Sequence, residues 1–224
     1  MQLKKEDEII LVASREKLFE DVDTFQGSLF RKEQVDKVIK AIEDNYKPMR
    51  RGSVEELDVN LNECAERNEA YKQPIPYIII QKGNQFYVTE RLEGGGESRL
   101  HGKLSMGIGG HMNPIEGFDN FEDLLLENTL RELHEELYVE DGGEEVKIET
   151  SGLINDDVNE VGKVHIGLLG RIKLNDNQDV SIKEVEQLKG TWYTLDELFD
   201  EETFDRLEAW GQIVVEAIGK KLIK

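Results

Sequence analysis

Apolar and polar positions change their period several times along the chain. Ile9-Ile10-Leu11-Val12 is a short continuous apolar run and reads as a buried strand. Val35, Val38, Ile39 and Ile42 recur at helical spacing, and that stripe ends before Pro48. Ser53-Val54-Glu55-Glu56 has the order of a capping box and predicts another helix start. Arg50-Arg51 would then be a solvated helix end. Beyond Pro74 and Pro76 the texture changes. Tyr77-Ile78-Ile79-Ile80 and Gln85-Phe86-Tyr87-Val88 flank Lys82-Gly83-Asn84, which is a hairpin signal. Gly94-Gly95-Gly96 reads as a mobile loop. Phe121, Leu124, Leu125, Thr129 and Leu133 keep a helix-like spacing. Residues 146–153 and 163–174 are strand-like, the second with Val164, Ile166 and Leu168 alternating. Trp192-Tyr193 opens a last strand, and Leu195-Asp196-Glu197-Leu198 turns into helix. Leu207, Trp210, Val214, Ala217 and Ile218 stripe a final helix.

Strands and helices therefore mix irregularly. That predicts an α+β fold, an α/β/α sandwich on a mixed sheet, rather than regular βαβ repeats. Residues 1–72 read as a separate α/β extension and 73–224 as the main domain. The length of 224 residues suits this division.

Composition narrows the function classes. Hydrophobic residues make up 38% of the chain, enough for a core, and the 34% that are charged argue against a membrane-embedded protein. No apolar run approaches the roughly 18–20 residues of a spanning helix. The first seven residues have no apolar signal region behind them. A cytoplasmic, soluble protein is the expectation. The single cysteine, Cys64, excludes an internal disulfide framework and a thiolate zinc site. The net charge of −20 argues against a nucleic-acid polymer as partner, because such binding needs Lys and Arg to neutralise phosphates. A phosphorylated small molecule is compatible with it, since bound cations invert a local field.

The most informative stretch is Arg131-Glu132-Leu133-His134-Glu135-Glu136-Leu137. On a helix, Glu132 lies three and four residues before Glu135 and Glu136, so the three carboxylates share overlapping faces. Like charges at that spacing cost an isolated helix roughly 0.2–0.5 kcal/mol per pair. A hard divalent cation is the obvious use for them, because Mg²⁺ takes oxygen ligands from one or two carboxylates plus substrate phosphates. Upstream stand Gly109-Gly110-His111-Met112-Asn113-Pro114-Ile115-Glu116, behind a strand-like segment at 104–108.

Together these residues resemble the box of the Nudix, or MutT-like, hydrolases, G-x5-E-x7-R-E-U-x-E-E-x-G-U, with U aliphatic. Arg131 through Glu136 match its second half, and Val139 fits its last aliphatic position. The sequence departs from the pattern twice. Fourteen residues, not seven, lie between Glu116 and Arg131. The other register, Gly117-x5-Asp123-x7-Arg131, keeps the spacing but puts Asp where the family has Glu; the Gly110–Glu116 register is preferred because the glycines follow the strand. A surplus of seven residues is about two helical turns and leaves the Arg131 face where it was. Tyr138 replaces the glycine that lets the helix end in a left-handed cap, so a different exit is expected, delayed to Gly142-Gly143.

The resemblance implies a Nudix-type sandwich and the metal-dependent hydrolysis of a diphosphate bond, in a nucleoside diphosphate-linked or related molecule. By it, Glu132, Glu135 and Glu136 would hold Mg²⁺ or Mn²⁺, with the Gly109 carbonyl as a further ligand. Glu132 and Glu135 would also be catalytic, and Glu116 would pair with Arg131 to fix the loop beside Gly110. Asp156, Asp157, Glu160, Glu184 and Glu186 are candidate general bases, with Glu160 the first choice. Arg91, Arg99 and His111 could bind substrate phosphate, as could Lys103. Tyr77, Phe86, Tyr87 and Trp192 read as core, and His134 as a partly exposed helix position. Relatives that isomerise isopentenyl diphosphate use a cysteine near the position of Gly110, and Cys64 lies far upstream. The rival reading is a catalytically silent Nudix-like sensor that binds nucleotides or contacts a partner. A homodimer, built through the N-terminal layer as in many relatives, is compatible with either.

Overall fold

A computed structural model describes residues 4–92, 101–118, 120–143 and 147–223. The first apolar run forms β1 (Ile9–Ser14), followed by α1 (Arg15–Leu18), β2 (Gly27–Leu29), α2 (Lys32–Asn45) and β3 (Tyr46–Arg50). Next come β4 (Tyr71–Lys82), β5 (Gln85–Arg91), β6 (Leu104–Ser105), β7 (Gly107–Ile108), α3 (Phe121–Glu136) and β8 (Leu137–Glu140). The chain continues through β9 (Ile148–Asn155), α4 (Glu160–Lys163), β10 (His165–Leu174), β11 (Asp179–Ile182) and β12 (Leu188–Thr194). It closes with α5 (Leu195–Leu198), α6 (Glu201–Arg206) and α7 (Ala209–Gly219). The fold is α+β with a large mixed sheet. Among the described residues, no helix is long and apolar enough to cross a membrane.

The chain divides into two units, each drawn from three stretches. The first comprises Met1–Pro76, Gly110–Thr129 and Gly152–Leu168. In it β1 pairs antiparallel with β3 (Ile9 opposite Arg50) and with β4 (Ala13 opposite Lys72), and β2 pairs with β9. The stripe on α2 buries Val35, Val38 and Ile42 against Leu11, Leu18, Met112, Phe121, Leu124 and Ile166. That is the expected outcome of helical spacing beside a continuous apolar strand.

Two local expectations fail here. Residues 53–60 contain turns, not an α-helix, and short 3₁₀ turns follow at Leu61–Glu63 and Ala65–Arg67. The Ser53 hydroxyl accepts the Glu55 N–H, 3.2 Å away and only two residues on, so its capping capacity closes a turn. Arg50 and Arg51 are not a helix end either. Arg50 closes β3 and forks onto Glu56 at 2.7 and 2.8 Å, while Arg51 binds Glu66 at 3.0 Å and Glu8 at 3.3 Å.

The second unit comprises Tyr77–Gly109, Leu130–Ser151 and Leu169–Lys224. β4 and β5 form the hairpin expected at Lys82-Gly83-Asn84, with Gly83 at φ 59°, the left-handed conformation that only glycine adopts cheaply. β12 lies along the far side of β5, and β8 pairs with β11. Ile78, Ile80, Tyr87, Ile108, Leu133, Leu137, Ile172 and Leu188 share its core. The final stripe packs through α7, where Trp210 meets Tyr77 edge-on at 5.5 Å.

Strand β12 contains Gly190 opposite Thr89, and a Cβ there would overlap the hydroxyl of the buried Tyr87. Tyr87 is held by an edge contact with Trp192 at 4.9 Å and cannot swing away without opening that core. Gly190→Ala is therefore expected to lose about 1–3 kcal/mol in a urea titration.

Candidate active site and a histidine cluster

Helix α3 positions the sequence motif. Its start is capped by Asn120, whose side-chain oxygen accepts the Asp123 N–H at 2.8 Å. Phe121, Leu124, Asn128, Thr129 and Leu133 form its buried stripe. Asn128 is the polar member. Fully buried in the first unit, it accepts the Asn113 N–H at 2.7 Å and donates to the Asn113 carbonyl at 3.1 Å, so the loop after Gly110 is fastened to the helix. Sequence reasoning missed Asn128. Its position, seven residues after Phe121 and four after Leu124, was the available signal. Phe121, the first residue of the helix, is five residues after Glu116.

The helix exit differs from expectation. α3 stops at Glu136, and Leu137 enters β8 directly instead of continuing to Gly142. Lys183 closes the end: its N–H donates to the Glu136 carbonyl at 2.8 Å and its ammonium to the His134 carbonyl. With those carbonyls satisfied by β11's neighbour, no left-handed glycine cap is needed, and Gly142 and Gly143 turn the chain after β8. Tyr138 is exposed, with the Lys183 ammonium 5.0 Å from its ring.

In the second unit Arg131 bonds Glu132 at 2.7 Å and Glu135 at 3.0 Å. Glu132 is mostly buried, whereas the Glu135 side chain is 59% exposed. Glu136 is pushed up to about 7. Burial is the main cause, and the carboxylates of Glu132, Glu184 and Glu208 add to it, with Arg91 the opposing cation. Arg91 ends β5 and stands 4.0 Å from Glu208, so this predicted phosphate-binding residue is beside the carboxylates. Gly109 follows β7 in the same unit, and its neighbour Ile108 shares a core with Leu133. The donor set is all carboxylate, partly desolvated and mutually repelling, with a carboxyl that holds its proton near neutrality. That chemistry fits a hard divalent cation.

The remaining candidates separate. Glu160 opens α4 in the first unit; its side chain is 84% exposed and bonded to Lys163 at 2.6 Å. Asp157 is taken by Lys72 at 2.7 Å and Arg15 at 2.5 Å. Asp156 is buried and bonds Gln26 at 2.6 Å. Among the proposed bases, Glu184 contributes to the field that raises Glu136. Glu208, the N-cap of α7, does the same and was not foreseen. Glu116 is exposed in the turn at Gly117, in the first unit. Lys103 donates to the Asp205 carbonyl at 3.2 Å, and His134 is exposed. Arg99 and Gly94-Gly95-Gly96 lie outside the described residues.

His111 is part of a second cluster, in the first unit. Among the described residues, Glu66, His111 and His165 bring one ligand atom each within 4.8 Å of one another. The two Nε2 atoms are 3.3 Å apart, and His111 Nε2 is 3.7 Å from Glu66 Oε1. His165 Nδ1 meets the Val161 carbonyl at 2.6 Å. Burial holds His165 below the ordinary imidazole range. Glu66 and His165 were not singled out from the sequence. They lie far apart in the chain, in segments with no motif.

The chain is 45% identical to Protein YmaB of Bacillus subtilis (strain 168) over 215 residues, covering 96% of this chain and 98% of YmaB. It also resembles the crystal structure of Tm1382, described as a candidate Nudix hydrolase, with 25% identity and a TM-score of 0.72, covering 96% of this chain and all of that one. A MutT Nudix hydrolase from Burkholderia pseudomallei is far more distant, with 16% identity and a TM-score of 0.44 over 65% of this chain and 96% of its own. No protein-family model matches the chain. The full-length fold match to Tm1382, with the Arg131–Glu136 motif on the expected helix, makes this chain a member of the Nudix superfamily.

Proposed function

We propose that this protein hydrolyses a diphosphate bond in a nucleoside diphosphate-linked or related phosphorylated small molecule, with Mg²⁺ or Mn²⁺ as cofactor. The observation that carries the reading is the Arg131–Glu136 motif on α3 of a Nudix fold, with Arg131 bonded to Glu132 at 2.7 Å and to Glu135 at 3.0 Å and the Glu136 carboxyl buried near Glu132, Glu184, Glu208 and Arg91. Glu132 and Glu136 would hold the cation, with Glu135 and the Gly109 carbonyl completing the set that the box implies. A divalent cation held there would supply neutralisation of phosphate charge and Lewis-acid activation of water.

The other steps belong to the protein's own groups. Arg91 offers a guanidinium fork to a phosphate oxygen. Arg131 holds Glu132 and Glu135 at fixed spacing through its two bonds. Glu184 accepts the proton of the attacking water as its oxygen bonds to phosphorus and the bridging P–O bond breaks. Glu160 is the alternative base, and Glu184→Gln and Glu160→Gln variants separate the two.

Incubation of the purified chain with Mg²⁺ or Mn²⁺ and a panel of dinucleotide polyphosphates, nucleotide sugars and nucleoside triphosphates tests the proposal. Phosphate-containing products from at least one compound are expected. Tight nucleotide binding by calorimetry with no product across the panel would favour the silent-sensor reading instead.

A further inference from the structure

The cluster of Glu66, His111 and His165 has no part in the proposed hydrolysis, and it has the chemistry of a different metal. Two imidazole nitrogens and one carboxylate form a borderline donor set. Such sets suit Zn²⁺ and related first-row cations, whereas Mg²⁺ prefers all-oxygen ligands.

The imidazole spacing matches that chemistry, and all three ligand atoms lie within 4.8 Å of one another. Tetrahedral ligands held about 2.0–2.1 Å from Zn²⁺ lie roughly 3.3–3.4 Å from one another. His111 and His165 present their Nε2 atoms 3.3 Å apart, and His111 is 3.7 Å from Glu66. The ring planes meet at 66°, so the two nitrogens converge rather than stack.

Tautomer and outer contacts are also in place. The Val161 carbonyl can only accept, so His165 Nδ1 carries the ring proton and Nε2 is left with its lone pair facing the cluster. A histidine ligand characteristically donates its other N–H to a carbonyl or carboxylate in this way. Arg51 donates to Glu66 Oε1 at 3.0 Å, which orients the carboxylate. Lys72 donates to the His165 carbonyl at 3.1 Å, which fixes the start of β10. His165 is 6% exposed, and the His111 and Glu66 side chains are 14% and 15% exposed, so the cluster is shielded but reachable by an ion.

We propose that Glu66, His111 and His165 form a Zn²⁺-class site with three protein ligands, which ties the 3₁₀ turn at Ala65–Arg67 and the loop after Gly110 to the start of β10. The site is independent of the box carboxylates, and its existence does not depend on the hydrolase reading.

Zn²⁺ titration of the chelator-treated full chain, followed by calorimetry, tests it without reference to activity. One equivalent is expected to bind in competition with millimolar Mg²⁺. His111→Gln and Glu66→Gln should each weaken it by more than about 100-fold, beyond the loss of an outer contact. Glu136→Gln should leave it unchanged. On the unsubstituted chain, Zn²⁺ should shift the imidazole ¹⁵N resonances of two of the four histidines, a readout that survives if a variant fails to fold. Absence of binding by the unsubstituted chain would overturn the proposal. So would binding that persists in His111→Gln, that disappears in Glu136→Gln, or that moves no histidine resonance.

Discussion

Glu136→Gln is expected to lower kcat by roughly 10²–10³-fold on whichever diphosphate compound the chain hydrolyses, the scale for removing one preorganised electrostatic group. The fold should survive, because the substitution keeps the shape and removes a buried like charge. The same residue carries a pH signature in the metal-free protein. Burial and three neighbouring carboxylates raise its folded-state pKa to about 7, above the ordinary carboxylate value. The folded state therefore holds a proton that the unfolded chain has released. The contribution to stability is complete below pH ~4.3. It is lost as pH rises through about 7.

A shift of this size corresponds to about 3 kcal/mol. Urea titrations should show wild-type stability declining from pH 4.5 to 7.5, with a clearly flatter profile for Glu136→Gln. Arg91→Ala should steepen the decline, because Arg91 is the cation that opposes the shift. Saturating Mg²⁺ should raise the unfolding midpoint of the wild type above pH 7 and barely affect the variant. A flat wild-type profile without metal would remove the basis for placing a cation at Glu136.

Lys72→Met is the substitution with the largest expected effect on stability. The Lys72 side chain is fully buried on β4, and its ammonium donates to Asp157 at 2.7 Å and to the carbonyls of Gly162 and His165 at 2.7 and 3.1 Å. Burial pulls its pKa down, and the Asp157 carboxylate works against that pull. Methionine fills the space but leaves both carbonyls without that donor and Asp157 with only its remaining partners, Arg15 and Asn155. Breaking a buried pair in this way costs about 3–5 kcal/mol. In a chain of this size the melting midpoint should fall by roughly 6–20 °C. Lys40→Met, on an exposed pair with Asp44, should melt close to the wild type. Equal melting of the two variants would refute the structural role given to Lys72. Because Lys72 also fixes the backbone of His165, its loss should weaken Zn²⁺ binding as well.

The motif at Arg131–Glu136 was legible because a helix places residues three and four apart on one face whatever surrounds it. The helical stripes of α2 and α7, the hairpin at Gly83 and the irregular mixture of strands and helices were readable for the same kind of reason: each depends on neighbours within a few residues. The capping-box pattern at Ser53 misled because its hydroxyl had a nearer donor, the Glu55 N–H. The exit of α3 could not be read from Tyr138, since the groups that close it come from Lys183, forty-seven residues after Glu136.

What the sequence by itself determined is local: the periodicities, the carboxylate face of α3 and the resemblance to one family's box. The tertiary structure alone decided which distant residues meet. It brought the charges of Glu184 and Glu208 to bear on Glu136, placed Asn128 under the loop of Asn113, and assembled Glu66, His111 and His165 from segments about fifty residues apart. The physical reason is that periodicity and the hydrogen bonds within a helix or turn act over one or two turns of chain, whereas tertiary hydrogen bonds, electrostatic coupling and clustering of ligand atoms act through space. No spacing rule in the sequence encodes which loops the core will draw together.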